Sequence, residues 1–358
     1  MSDAGVWVKL QSASFADATV INKEASVYDR IDEGVTIGGK KYDVYYFTTA
    51  STPASVKLTP DARQAIADAD LPDMEGFTLP NNFDGDPADL LPENYREVVK
   101  GAFEIVEAGD AGLKLVVASE GKARVLVVGG GGSGGTYSSG SICGGGGGAG
   151  EMYEDEVVLP EGELSVHVGY GGGLVAANWG VNIYALSGGD TSFVGPFAAC
   201  GGGYGGGYSG YSVQGGDGGS GGGAGGGSSS GVPMQGRVLG RATGGHEGGY
   251  GGSGNLRSSG GGGAGSPGLG GQAQYNDKGG DGKETNITGT PLMMAAGGGG
   301  FGSPGGSGIG GAGAYLNNGP DLWASPPAPN TGSGGGAGYA QEVEPGSAGV
   351  VIVRVEVE

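Results

Sequence analysis

The sequence predicts a mainly β protein in two parts: a small α+β domain over residues 1–122, and a β unit with packed glycine helices over residues 123–358. Runs of β-branched and aromatic residues, broken by Gly, Asp and Pro, recur along the first part. The second part holds 80 of the 90 glycines, yet strong strand patterns stand at both of its ends. Composition therefore divides the chain near Ala123.

Local signals are clearest in the first part. The stretch "TIGGKKYDVYYF" predicts a hairpin whose Gly-Gly pair is a two-residue turn. Thr59 and Pro60 predict the start of a short helix that ends before Pro72, because Thr is a favoured N-cap and Pro is tolerated in the first turn. Gly101 interrupts "ENYREVVKGAFEIVEAG", which predicts a helix followed by a strand at residues 102–107. "GLKLVVAS" predicts the next strand.

Strands also bracket the glycine-rich part. "ARVLVVGGGG" predicts a strand that runs straight into glycine, "EDEVVLPEGELSVHVG" predicts a hairpin with its turn at residues 160–162, and "DTSFVG" predicts a short strand. The closing "AGVVIVRVEVE" alternates strictly, which puts one set of valines on a single face: Val351, Val353, Val355 and Val357. If "RVLVVG" pairs with "GVVIVRV", the glycine tracts are long excursions from a closed β unit. Excursions of that length are not expected as bare loops in a compact domain.

Two interpretations of the glycine tracts follow. They are flexible linkers, or they are polyglycine II helices, extended left-handed helices of about three residues per turn that hydrogen-bond sideways to one another. Interruptions by Tyr204, Tyr208, Leu269 and Phe301 favour packed helices, because a linker would carry polar residues there. The "GGGSSSG" stretch at residues 225–231 is the best case for a linker. No strict Gly-X-Y repeat is present, which excludes collagen.

Charge and composition exclude several partners. The net charge is −20 and no basic stripe is present, so no nucleic-acid partner is expected. No apolar run is long enough for a membrane span, and the first residues lack the pattern of a secretory signal. Cys143 and Cys200 lie in matching glycine-rich contexts; a disulfide is one alternative and two buried thiols are the favoured one.

No catalytic, cofactor or metal motif stands out, so the chain is predicted not to be an enzyme. "GGDGKET" lacks the spacing of a phosphate-binding loop, and neither His167 nor His246 has a nucleophile or an acid at recognisable spacing. The acidic turns "FDGDPADLLPE" and "NDKGGDGKE" match neither the EF-hand loop nor the glycine-rich nonapeptide calcium repeat, and solvated turns are the favoured interpretation. A depolymerase whose carboxylate pair forms only on folding is the remaining enzymatic alternative.

The candidate receptor-binding residues lie in the short segments between glycine tracts. Exposed aromatic and amide side chains on a rigid scaffold suit the recognition of a saccharide or a protein loop. The candidates are Trp179, Tyr184, Tyr211, Tyr250, Tyr315, Asn317, Asn318 and Trp323. The competing interpretation is that Trp179 and Trp323 fill the core.

Four ordered blocks of the second part resemble the glycine-rich domain of bacteriophage tail and host-recognition (adhesin) proteins. The blocks are residues 125–132, 153–173, 285–300 and 346–355, and the resemblance covers about residues 123–358. It implies a β-sandwich extended by a polyglycine II bundle, in a virion protein located on the tail.

The resemblance also implies a function. The chain is expected to be a non-enzymatic adhesin that binds a bacterial surface saccharide or an outer-membrane protein. A structural decoration protein of the head or tail is the alternative. Residues 1–122 lie outside the resemblance and are expected to dock to other virion proteins or to mediate oligomerisation. A homo-oligomer is expected, and a trimer is one form that it can take.

Overall fold

The computed structural model describes residues 19–71, 73–74, 76–79, 86–91, 93–136, 144–175, 184–193, 197–207, 214–225, 245–249, 258–270, 277–314, 324–338 and 344–357. The strands are β1 Val20–Ile21, β2 Arg30–Ile37, β3 Lys40–Phe47, β4 Ser55–Leu58, β5 Gly76–Thr78, β6 Phe103–Val106, β7 Leu113–Ser119, β8 Gly121–Val128, β9 Met152–Leu159, β10 Gly162–His167, β11 Leu174–Val175, β12 Tyr184–Ala185, β13 Thr191–Phe193, β14 Phe197–Ala199, β15 Lys283–Thr285, β16 Leu292–Met294 and β17 Val350–Val357. The helices are α1 Pro60–Asp68 and α2 Glu93–Val99, with 3-10 turns at Pro87–Leu90 and Gly306–Gly308.

Two antiparallel sheets form a β-sandwich, and the predicted mainly β class is confirmed. One five-stranded sheet has the order β1-β7-β10-β13-β14, and the other has the order β2-β3-β17-β8-β9. Their facing sides share one core, in which Phe47, Leu115 and Val353 have no exposed surface. Burying an apolar side chain of this size stabilises the fold by about 1.5–3 kcal/mol, so this core anchors the rest of the chain.

Strand β17 lies at the centre of the second sheet. It pairs antiparallel with β8 on one side and with β3 on the other, so Val353 lies opposite both Val125 and Tyr45. The predicted pairing of "RVLVVG" with "GVVIVRV" is therefore confirmed. The alternation of β17 is confirmed as well, since Val351, Val353 and Val355 all enter the core.

The change in composition near residue 122 is not a break in the sheets. β8 runs through that position, and β3 from the first part hydrogen-bonds along its length to β17 from the second. A division into residues 1–122 and 123–358 follows the glycine content, whereas the sandwich combines strands from both parts. The reason is that a closed sandwich requires strands with large side chains, and the first part supplies several of them.

The local signals of the first part are confirmed. Gly38 and Gly39 have φ of 60° and 86° and form the two-residue turn between β2 and β3. Thr59 caps α1, where its hydroxyl accepts a hydrogen bond from the N–H of Ala62 at 3.2 Å. The predicted strand at residues 102–107 is β6.

Residues 52–109 form a unit inserted into the sandwich. The sheet β5-β4-β6 packs with α1 and α2 around its own core, which includes Val56, Ile66 and Tyr95. The two chain passages that join this inserted unit to the sandwich are bonded to each other: Thr52 and Gly109 exchange backbone hydrogen bonds of 2.9 and 3.0 Å. This two-stranded neck joins the inserted unit to the sandwich, and Leu186 of the glycine-rich part packs into the core of the inserted unit as well.

The predicted hairpin around residues 160–162 is wrong. β9 pairs with β8 in one sheet, and β10 pairs with β7 in the other. The turn is a corner that carries the chain across the sandwich, so Leu159 and Leu164 enter the shared core from different sheets. Alternation cannot separate the two cases, because strands of a hairpin and of such a corner have the same period of two.

Within the described ranges, the structure contains no helix with the length and apolarity needed to cross a membrane.

Two adjacent residues of β9 test the sandwich. Leu159 is fully buried, whereas Val158 is 41% exposed on the opposite face. Leu159→Ala is expected to lower the free energy of unfolding by about 2–5 kcal/mol through the cavity it leaves, and Val158→Ala should change it by less than about 0.5 kcal/mol. Urea denaturation followed by far-UV circular dichroism measures both. Equal effects of the two substitutions would contradict the assigned facing of β9.

Candidate functional site

Glycine-rich runs extend from one end of the sandwich and return to it. β8 ends at Val128, the run 129–136 leads away, and the run 144–151 returns to β9. We call the set of such runs the glycine bundle. Its described members are residues 129–136, 144–151, 168–173, 186–190, 200–207, 214–225, 245–249, 258–270, 277–282, 295–314, 324–338 and 344–349.

Hydrogen bonds between these runs repeat every three residues. Three N–H groups of the run 129–136, spaced three apart, donate to carbonyls of the run 144–151 that are also spaced three apart. The pairs are Gly129 to Glu151, Gly132 to Gly148 and Gly135 to Gly145, at 2.9, 2.9 and 2.8 Å. The intervening N–H groups donate to two further runs: Gly130 to Gly189, Ser133 to Leu186, Gly131 to Ser347 and Gly134 to Glu344. The run 129–136 therefore presents three faces in turn, each to a different neighbour.

The run 144–151 is surrounded by six others. Its seven N–H groups from Gly145 to Glu151 all donate to backbone carbonyls, at 2.7–3.0 Å. The accepting runs are 200–206, 259–262 and 332–335, and the runs that donate to it are 129–135, 220–223 and the one containing Gly298. The backbone of this central run is thus paired on every side, which satisfies the polar groups that its burial removes from water.

Close approach explains why the central run is almost pure glycine. A Cβ atom added to Gly147 would lie 2.1 Å from the carbonyl oxygen of Gly132, where real Cβ contacts below 3.0 Å essentially never occur. Ala149 is the one larger residue between Gly144 and Gly150. Its side chain belongs to a buried cluster with Met294 and Ala295, where the neighbouring run begins.

Buried serines replace backbone partners inside the bundle. The Ser259 hydroxyl accepts from the N–H of Ala224 at 2.7 Å and donates to the carbonyl of Gly249 at 2.6 Å. Ser133 and Ser333 are fully buried too, and their hydroxyls accept from other runs in the same way. Serine in a glycine tract is usually interpreted as a linker feature, so the composition alone conceals this structural role.

The described parts of several runs reach a common level away from the sandwich. Gly145 donates to Gly206 and Gly338 donates to Gly135, so the ends of four runs lie at one level. Ala314 and Ala337 are bonded to each other at the corresponding end of a neighbouring pair of runs. We call this the distal end of the bundle. The described residues at this level include Thr136, Gly207, Gly225, Gly249, Ala314 and Gly338.

Most predicted receptor-binding residues lie outside the described residues. These are Trp179, Tyr211, Tyr250, Tyr315, Asn317, Asn318 and Trp323. Tyr184 begins β12, and its backbone pairs with Val175 of β11, but its side chain is likewise outside the description. The role of these eight residues stays a prediction. Cys143 is also outside, while Cys200 is half-buried beside the bundle.

One of the two acidic turns is held by hydrogen bonds. The Asp281 carboxylate accepts from the Lys278 ammonium at 2.8 Å and from the N–H of Ser307 at 2.9 Å, and the hydrogen bond from Lys278 contributes most to lowering the pKa of Asp281. Asp277 is buried and accepts from the Ser258 hydroxyl at 3.2 Å. Among the residues that the structure covers, no three His, Cys, Asp or Glu side chains are grouped so that they could hold a metal ion.

Folding brings two partners to His167 that spacing along the chain does not reveal. The Ser51 hydroxyl lies 3.2 Å from Nε2 of His167, although the two residues are 116 positions apart, and Asp110 lies 4.0 Å from Nδ1. The Ser51 hydroxyl also donates to the carbonyl of Val168, and the N–H groups of Ser51 and Thr52 donate to other carbonyls. Neither N–H is thus left to stabilise an oxyanion, and 4.0 Å is too long for a hydrogen bond. The group ties the neck of the inserted unit to β10.

Comparison with known families agrees with this architecture. Residues 114–356, more than half of the chain, match a family described as a glycine-rich domain. The chain belongs to this glycine-rich domain family. The glycine-rich domain as matched begins inside β7, so it includes sandwich strands as well as the glycine bundle. No curated protein matches the chain.

A pair of glycine substitutions tests the role of close packing. Gly147→Ala places a methyl group against the Gly132 carbonyl, whereas a Cβ on Gly173 would meet nothing within 4 Å. Overpacking is expected to lower the free energy of unfolding of Gly147→Ala by about 1–3 kcal/mol or more. Gly173→Ala should be neutral or slightly stabilising, by up to about 1 kcal/mol. Thermal unfolding followed by calorimetry compares them. A neutral Gly147→Ala would show that the central run is not closely packed.

Proposed function

We propose that the chain is a non-enzymatic bacteriophage virion protein, a tail-associated adhesin whose glycine bundle presents host-binding segments at its distal end. One observation carries the proposal. The described runs that lead into the segments holding Tyr211, Tyr250 and Tyr315 all reach the distal end, at Gly207, Gly249 and Ala314. The four sequence blocks that resemble phage host-recognition proteins support the same function.

We further propose that the bundle consists of polyglycine II helices. Its hydrogen bonds repeat every three residues and link each run to different neighbours. A helix of about three residues per turn, without internal hydrogen bonds, presents its N–H and C=O groups in this way. Such a lattice is rigid because every central run is bonded to several others.

A rigid lattice suits the display of the segments that join its runs. The segments 208–213 and 315–323 leave and re-enter the described structure through Gly207 and Gln214, and through Ala314 and Ala324. Binding residues are favoured on segments that a rigid scaffold positions, because the scaffold carries the cost of ordering. Tyrosine and tryptophan add large contact area at low cost in side-chain entropy. We propose a bacterial surface saccharide or an outer-membrane protein as the receptor.

Attachment to the virion is proposed to use residues 1–122, most simply through the inserted unit. β6 lies at the edge of the three-stranded sheet, and its Ile105 and Val106 are 52% and 46% exposed. An edge strand with exposed apolar residues is suited to pairing with another chain. That chain would be another virion protein or a second copy, as in a homo-oligomeric fibre that can be a trimer.

Replacement of residues 315–323 by a Gly/Ser segment of equal length tests the adhesin function. The purified full chain should bind the host's cells and block phage adsorption, and the replacement should weaken cell binding by about tenfold or more, as expected for loss of an aromatic anchor. Thr290→Ala, at an exposed position of the turn between β15 and β16, is the control and should bind as the parent does.

Failure of the parent chain to bind cells or to reduce adsorption would contradict the adhesin function. If the chain instead binds phage particles that lack it and makes them more resistant to heat, the structural decoration alternative is favoured. Equal cell binding by the parent and the segment replacement would place the receptor site elsewhere on the chain.

A further inference from the structure

A cleft on the outer face of the second sheet gathers basic residues in an otherwise acidic protein. Its volume is about 360 Å³, and Lys40, Lys122, Arg124 and Arg354 line it together with two glutamates. The whole chain has only 18 basic residues and a net charge of −20. The long-range field of such a protein repels anions, so a local cluster of four cations is a specific feature of this cleft.

The register of the sheet places two of these arginines directly opposite each other. Arg124 on β8 and Arg354 on β17 are cross-strand partners. Like charges in this position destabilise a sheet, because the two side chains are held close on one face. Burial, and then the charge of Arg124, lower the pKa of Arg354. The arginine pair is therefore unfavourable for the stability of the sheet, and a role in binding an anion would explain its presence.

Glutamates form ion pairs with three of the four cations, and Arg354 is the fourth. Lys40 pairs with Glu356 at 2.9 Å, Lys122 with Glu156 at 3.7 Å and Arg124 with Glu154 at 2.6 Å. Arg354 forms no ion pair within the described residues. The cluster therefore has four cations against three anions, and the surplus positive charge is that of Arg354.

The guanidinium of Arg354 is held in place but not fully bonded. It lies 4.9 Å from the centre of the Tyr42 ring, and its Nη1 donates to the carbonyl of Ile287 at 3.1 Å. Its Nε is buried and has no hydrogen-bond partner in the described part of the chain. Nη2 of Arg354 also forms no hydrogen bond within the described residues, and unlike Nε it is not buried. An oxyanion in the cleft can accept from Nη2 and would supply a balancing charge.

We propose that this cleft binds a small oxyanion, such as the phosphate or carboxylate group of a sugar-sized molecule, between Arg354 and Arg124. The volume suffices for a ligand of that size. Two guanidinium groups suit oxyanions because their planar donors match two oxygens at once. The proposal concerns the sandwich and does not rest on the adhesin function.

Isothermal titration calorimetry on the full chain at fixed ionic strength tests the site. Inorganic phosphate, glucose 6-phosphate and glucuronate are the probes, and glucose is the neutral comparison. At least one anion should bind saturably with one site per chain, whereas glucose should not. Tighter binding of glucose 6-phosphate or of glucuronate would identify a sugar phosphate or a sugar acid, and tightest binding of phosphate would identify the free ion.

Arg354→Gln should weaken the binding by about tenfold or more. Lys57→Gln removes the same charge from an exposed site on β4 and should leave binding unchanged. Arg354→Lys keeps the charge but not the planar donors and should also weaken binding, which provides a test if the glutamine variant does not fold. The proposal is overturned if no anion binds saturably, or if both Arg354 variants bind as the parent does.

Discussion

The hydrogen bond between neighbouring glycine backbones is the interaction on which the glycine-rich half of the structure depends. At many positions it brings the chains so close that no Cβ atom fits between them, as at Gly146, whose added Cβ would lie 2.1 Å from the Gly298 carbonyl oxygen. Ordering glycine costs more backbone entropy than ordering other residues. The compensation is that nearly every N–H of a central run finds an acceptor, as a buried backbone requires.

The sandwich supplies the apolar core that the glycine runs lack. Glycine runs have almost no apolar side chains to bury, so the large core between the two sheets stabilises the chain and fixes where each run starts. β17 illustrates this double role. Val351, Val353 and Val355 enter the core between the sheets, while Val350 and Ile352 pack on the other face with Ala149 and Met294, where the bundle meets the sandwich.

Much of the fold could be predicted because its signals are local. The Gly38–Gly39 turn, the Thr59 cap and the alternation of β17 each depend on neighbouring residues. The corner at residues 160–162 could not be predicted, since it depends on which distant strand each neighbour pairs with. The same limit applies to Ser51 beside His167 and to Arg124 opposite Arg354, which are far apart in sequence. The eight predicted receptor-binding residues came from composition and resemblance, and cell-binding data will decide their role.

Amide hydrogen exchange of residues 145–150 in the full-length protein tests the central claim most directly. If the run 144–151 is bonded to six neighbouring runs, these amides should exchange as slowly as those of β17 in the sandwich core, through global unfolding alone. Neighbouring peptides from β17 provide the reference within the same experiment. Exchange of residues 145–150 at the rate of an unfolded chain, while β17 remains protected, would contradict the packed bundle and leave the glycine tracts as linkers.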